Sequence, residues 1–124
     1  MQFKVVTDDP HTAKRMFPDL AAYHFNTEAD WVLISNAKNI IMSNSSFAWL
    51  ATWINKDVIN VIAPKYWSKH NVSDGFWAQG DSLTKDWEYL DREGSLFTYE
   101  ECLREKEGYE VDNAHMYEIY RVNG

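Results

Sequence analysis

Ser43, Asn44, Ser45, Ser46 and Phe47 form the most informative stretch of the chain. They stand between one apolar run, Ile40-Ile41-Met42, and another, Ala48-Trp49-Leu50-Ala51-Thr52-Trp53-Ile54. A strand, a small polar turn and a helix in that order present unpaired helix N–H groups and about half a positive charge at one point, which suits phosphate oxygens. Ser and Asn are also ordinary helix caps, so both roles fit these residues. Asn44, Ser45 and Ser46 in a row exceed what one cap needs. Asp8, Asp9 and Pro10 close an earlier apolar run in a similar way. A carboxylate at a strand end accepts from a ribose hydroxyl or a base N–H, while an Asp ahead of a Pro equally caps a helix. Adjacent carboxylates on one turn seldom aim at one reacting atom, so Asp8 and Asp9 read as binding residues rather than as an acid and a base.

The remaining reactive side chains form no recognisable constellation. His11, His24, His70 and His115 lack metal-ligand spacing, and Cys102 is the single cysteine, so neither a zinc site nor an internal disulfide is expected. One free thiol fits a reducing compartment. There is no Gly-x-Ser-x-Gly elbow and no Walker loop, and no nucleophile, base and orienting group can be assembled for a hydrolase. Trp49 and Trp53, four residues apart, read as core, whereas Trp67 and Trp77 are the better candidates to meet a ligand ring. Two glycosylation sequons, starting at Asn44 and Asn71, carry little weight without an export signal.

These residues need a frame to position them. The pattern predicts a strand over 3–7, a helix over 11–17 broken by Pro18-Asp19, a strand over 21–25, and a helix over 29–38 capped by Asn26-Thr27-Glu28. It continues with a central strand over 39–43 covered on both faces, a helix over 47–54 that is apolar almost all round and buried, and a strand over 58–63 ended by Pro64. Such alternation predicts an α/β fold: a Rossmann-like parallel sheet with right-handed crossovers and flanking helices. Residues 68–84 read as a long polar loop containing Gly75 and Gly80, and 87–90 as a short helical piece. Thr98 and Glu101 have capping-box spacing and open an acidic helix that Gly108 closes, and 109–122 reads as a hairpin turning at Asp112-Asn113. The expected division is a core over 1–67, a loop and short helix closing it over 68–90, and an acidic α/β tail of unassigned role over 91–124.

Composition narrows the class of partner. A chain of 124 residues with 45% hydrophobic and 15% aromatic content suits one soluble domain. No apolar run approaches the roughly 20 residues of a membrane span. The first six residues lack the features of a signal peptide, so a cytoplasmic location is expected. The net charge of -7 argues against nucleic acid or an anionic membrane as the main partner. Residues 1–70 carry seven basic and six acidic side chains, and residues 71–124 carry five and thirteen, so the acidity belongs wholly to the second part. The first part does not oppose an anionic ligand.

Residues 39–54, followed by Val61-Ile62-Ala63-Pro64-Lys65-Tyr66-Trp67, resemble the carboxyl-terminal signature of the bacterial family 11 glycosyltransferases, the α-1,2-fucosyltransferases. Residues 3–10 resemble the strand and acidic turn that precede it in that family, and 31–38 the helix leading in. The likeness covers 3–67 and extends weakly to Asp86-Trp87, with no counterpart for 90–124. It implies a partial GT-B architecture, in which the carboxyl-terminal Rossmann-like domain holds GDP-fucose. It also implies a metal-free inverting transfer of fucose to the 2-hydroxyl of a galactoside in the synthesis of a surface glycan such as lipopolysaccharide. GDP-fucose is then a donor substrate, with no cofactor. Ser43, Asn44, Ser45, Ser46 and Phe47 would line the pyrophosphate, with Asp8 and Asp9 near the nucleoside.

Two departures shape the expectation. The family's His followed two residues later by paired Arg is absent from this sequence, and Leu50 stands where the family has a second aromatic beside Trp49. Paired Arg supplies charge-assisted bidentate contacts of about twice the ordinary hydrogen-bond strength, so turnover is expected to need an amino-terminal half on another chain. The alternative is a non-catalytic nucleotide-sugar-binding or protein-interaction module derived from a glycosyltransferase. The expected partners are a nucleotide sugar and a glycan acceptor but no nucleic acid, with peripheral association at the inner face of the membrane.

Overall fold

The structure, a computed structural model, describes residues 2–65 and 83–115. In chain order the elements are β1 (Lys4–Val6), α1 (Pro10–Met16), β2 (Ala21–Tyr23), α2 (Thr27–Asn36), β3 (Asn39–Ile41), α3 (Ser46–Trp53), β4 (Asn60–Pro64), β5 (Glu88–Leu90), β6 (Leu96–Thr98) and α4 (Tyr99–Asp112). The result is a mixed α/β fold in which helices follow parallel strands, as the alternation in the sequence predicts. Among the described residues the strands form two hydrogen-bonded sets. One is the parallel pair β1-β2, and the other runs β3-β4-β5-β6, parallel except for its last pair.

Short-range chemistry sets the helix starts. The Asp9 side chain accepts from the Thr12 N–H and Pro10 takes the first helical position, Asn26 accepts from Ala29, and Ser45 accepts from Ala48. Each satisfies an amide that the first helical turn leaves without an intrahelical acceptor. Asn55 does the converse job at the end of α2. Its side-chain NH2 donates to the carbonyls of Ile34 at 3.0 Å and Ala37 at 2.7 Å, which ties the α3–β4 loop under that helix.

The core lies on the larger sheet: Met42, Val61, Ala63, Trp87, Tyr89 and Cys102 are buried together. Strand β4 is central, since it pairs with β3 on one side and β5 on the other. This corrects the expected central place of 39–43. Among the described residues β3 pairs with β4 alone and so stands at an edge, with Ile41 exposed. Helix α3 is likewise not buried all round. Ala51 and Thr52 are buried, whereas Leu50, Trp53 and Ile54 are exposed, since α3 packs on α2 and turns Ala48 and Trp49 to the core of the larger sheet.

The second part of the chain departs most from expectation. Residues 88–90 form a strand, not a helix, inserted beside β4. Burial alternates through Trp87, Glu88, Tyr89 and Leu90, the period-two pattern of a half-buried strand. The hairpin expected over 109–122 is replaced by helix: α4 continues through Gly108 to Asp112, and residues beyond 115 lie outside the described part. The hairpin of this region is instead β5-β6, turning through Asp91, whose carboxylate accepts from the N–H groups of Glu93 and Ser95, and Gly94 at φ 86. The stretch read as a tail thus supplies an edge strand and a helix to the main core. Thr98 and Glu101 form the expected capping box. Lys65, 3% exposed at the end of β4, lies 2.8 Å from the Glu105 carboxylate and 3.5 Å above the Phe97 ring, which fastens α4 and β6 to the sheet.

Candidate functional site

Parallel strands place their carboxyl ends at one edge, where open α/β sheets bind ligands. On the larger sheet that edge holds a cleft of about 220 Å³, lined by Ile41, Met42, Ile62, Ala63, Pro64, Leu90, Asp91 and Arg92. It is smaller than the roughly 300–1,000 Å³ of sites for drug-sized ligands and matches one ring or one sugar better than a whole nucleotide sugar. Its floor is apolar, and Asp91 and Arg92 at the end of β5 are its charged members. The sequence pattern does not single them out, because 87–90 reads as a short helical piece. The alternation around Tyr89 and the Asp91…Gly94 turn spacing were the signals that could have found them.

The predicted phosphate seat begins where the cleft wall ends. Met42 lines the cleft, Ser43 follows it, and α3 starts three residues later. Within the seat the side chains have unlike duties. Ser45 is the cap, its hydroxyl accepting from the Ala48 N–H at 3.2 Å and its carbonyl from the Trp49 N–H at 2.9 Å. Phe47 packs edge-on against Trp31 of α2, ring centroids 5.3 Å apart, and so holds the two helices together. Ser43, Asn44 and Ser46 are exposed. The amides of Ser46 and Phe47 belong to the first turn, where no intrahelical acceptor exists.

Asp8 and Asp9 lie at the corresponding edge of the other sheet, after β1. Asp9 is committed to α1. Its contact with the Thr12 N–H, followed by that with the Thr12 hydroxyl, holds its carboxyl below the usual carboxylate range. Asp8 is exposed. One further pair appears here that the sequence did not signal. After β2, His24 Nδ1 lies 2.6 Å from Asp30 Oδ2, and the other Asp30 oxygen accepts the Phe25 N–H at 3.2 Å. Trp67, Trp77 and the sequon at Asn71 lie outside the described residues.

Among the described residues no cluster of three or more His, Cys, Asp or Glu side chains could hold a metal ion, and no helix is long and apolar enough to cross a membrane. The chain matches no family model, no curated protein and no solved structure in the comparisons made.

Proposed function

We propose that this chain is the donor-binding lobe of a fucosyltransferase-like glycosyltransferase, with GDP-fucose as its nucleotide sugar and the 2-hydroxyl of a galactoside as acceptor in surface-glycan synthesis. The observation that carries this reading is the β3–turn–α3 unit at the carboxyl edge of a parallel sheet, built from the residues that resemble the family 11 signature. The helix start offers the Ser46 and Phe47 amides, and Ser43 and Ser46 stand exposed beside them. Asp8 would face the nucleoside. In the transfer, the acceptor oxygen bonds to C1 of fucose as the bond from C1 to the β-phosphate oxygen breaks. GDP leaves with the electron pair, and the hydroxyl proton passes to a base. Helix N-terminus and basic side chains would meet the charge growing on GDP, with the family's His and paired Arg supplied by a preceding lobe on this or another polypeptide. A cytoplasmic location with peripheral association at the inner membrane face belongs to the same reading.

Calorimetric titration with GDP-fucose, GDP-mannose and UDP-sugars tests it. The expected result is saturable heat with the GDP-sugars and little with the UDP-sugars, and no heat with any nucleotide sinks it for this chain. The non-catalytic alternative has its own support in the exposed face Leu50, Trp53 and Ile54 of α3. A stable protein partner whose binding ignores nucleotide would decide for that alternative.

A further inference from the structure

The pair His24–Asp30 does more than the fold requires. Asp30 is 6% exposed, and a single carboxylate oxygen on the Phe25 N–H already ties the end of β2 to the first turns of α2. The second oxygen is spent on the imidazole of His24, whose side chain is 39% exposed. A carboxylate only accepts, so Nδ1 carries the hydrogen, and in the neutral ring Nε2 is left as an oriented acceptor.

His24 follows β2 at the carboxyl end of a parallel strand pair. Val6 pairs with Tyr23 in parallel register and the Thr7 N–H donates to the Tyr23 carbonyl at 3.0 Å, so Asp8 and His24 leave the β1-β2 pair at the same carboxyl edge. The edge is also joined to the start of α3. Trp31, next to Asp30 in α2, packs on Phe47, next to Ser46. An oriented imidazole nitrogen and an exposed carboxylate both recognise hydrogen-bond donors. The ribose hydroxyls and base N–H groups of a nucleoside are such donors, while an ionised pyrophosphate only accepts.

We propose that His24 is a nucleoside-contacting residue, its Nε2 accepting a hydrogen bond from a ribose hydroxyl or a base N–H, with Asp30 as the positioning residue behind it. This rests on the donor-binding reading above and extends it by naming the group that meets the nucleoside.

Two substitutions separate contact from scaffolding. His24→Asn sets an amide where Nδ1 was, keeping a partner for Asp30 and losing the ligand contact, while His24→Gln sets one where Nε2 was. GDP is titrated calorimetrically into the full chain and both variants. In parallel, imidazole nitrogen resonances of the unaltered chain are followed with guanosine, pyrophosphate and GDP. The expected result is that His24→Asn weakens GDP binding about fivefold to tenfold, the scale of one hydrogen bond, with an unchanged melting temperature. His24→Gln recovers part of the loss, and guanosine and GDP move the His24 resonances while pyrophosphate does not. If the unaltered chain binds GDP but His24→Asn binds it equally well, or the His24 resonances stay still at saturation or respond to pyrophosphate, the proposal falls and donor binding stands. If neither GDP nor guanosine binds, both fall together.

Discussion

Ser45 and Ser46 differ in what their hydroxyls already do. The Ser45 hydroxyl holds the Ala48 amide, so Ser45→Ala removes a cap and should cost about 1 kcal/mol in urea denaturation. Ser46 is exposed, so Ser46→Ala should leave stability within about 0.5 kcal/mol yet weaken GDP binding in calorimetry if its hydroxyl meets phosphate. Equal losses of stability would show that the two serines share one structural role. Tyr89 and Cys102 set the alkaline limit. Burial, opposed by hydrogen bonds with Thr84, pushes the Tyr89 hydroxyl up to about 12 from 10.0, and burial, opposed by Lys65, pushes the Cys102 thiol up to about 11 from 9.0. Above pH 9 the unfolded chain therefore loses protons before the folded one. The stability these groups contribute is intact below that pH and lost as the pH rises through 11 to 12. Urea midpoints measured across this range should be flat and then fall, and Tyr89→Phe should remove the upper part of the fall. Cys102 should also resist thiol reagents until the chain unfolds, being buried and short of thiolate.

At the scale of elements, two glycines test where α4 and the β5-β6 hairpin begin and end. Gly108 lies inside α4 with open space around the position of a Cβ, so Gly108→Ala should stabilise by about 0.5–1 kcal/mol. Were Gly108 the helix terminator that its residue type suggests, the same change would destabilise. Gly94 also has open space, but its φ of 86 lies in the left-handed region, so Gly94→Ala should cost about 1–2 kcal/mol. Thermal denaturation of the two variants should move in opposite directions. The contrast explains which elements were legible. The capping box at Thr98 and Glu101 and the caps at Asp9, Asn26 and Ser45 are settled within three residues, so the sequence displays them. Whether a glycine ends a helix depends on what packs beyond it, and four residues around Trp87 were too few to separate a strand's period from a helix's.

For the whole molecule the distribution of charge matters more than its sum. The acidic helix α4 is not a loose appendage, because buried Lys65 engages Glu105 and the Phe97 ring. Glu105→Gln should therefore loosen α4 as a unit, which hydrogen exchange along 99–112 would register ahead of the amides in β3 and β4. Binding of a nucleotide sugar should in turn stabilise the folded chain by mass action, about 2.7 kcal/mol at a hundredfold excess over Kd. A melting temperature that rises with the logarithm of GDP-fucose concentration, and not with UDP-sugars, is the expected outcome.

The helix starts, the strand–helix alternation of the first 65 residues and the polar turn ahead of α3 are legible in the order of residues alone. All of these rest on hydrogen bonds and side-chain periods spanning a few residues. Long-range packing alone makes β4 rather than β3 central, builds half of the larger sheet from the acidic part of the chain, sets Asp91 and Arg92 at its cleft and brings Asp30 against His24. The reason is physical. Strand order and burial depend on which distant segments remove the most apolar surface from water together, and no local pattern encodes that comparison. His24 and Asp30 are six residues apart at a strand–helix junction, a spacing that neither period brings together. The chain turns between them, and that turn brings His24 against Asp30.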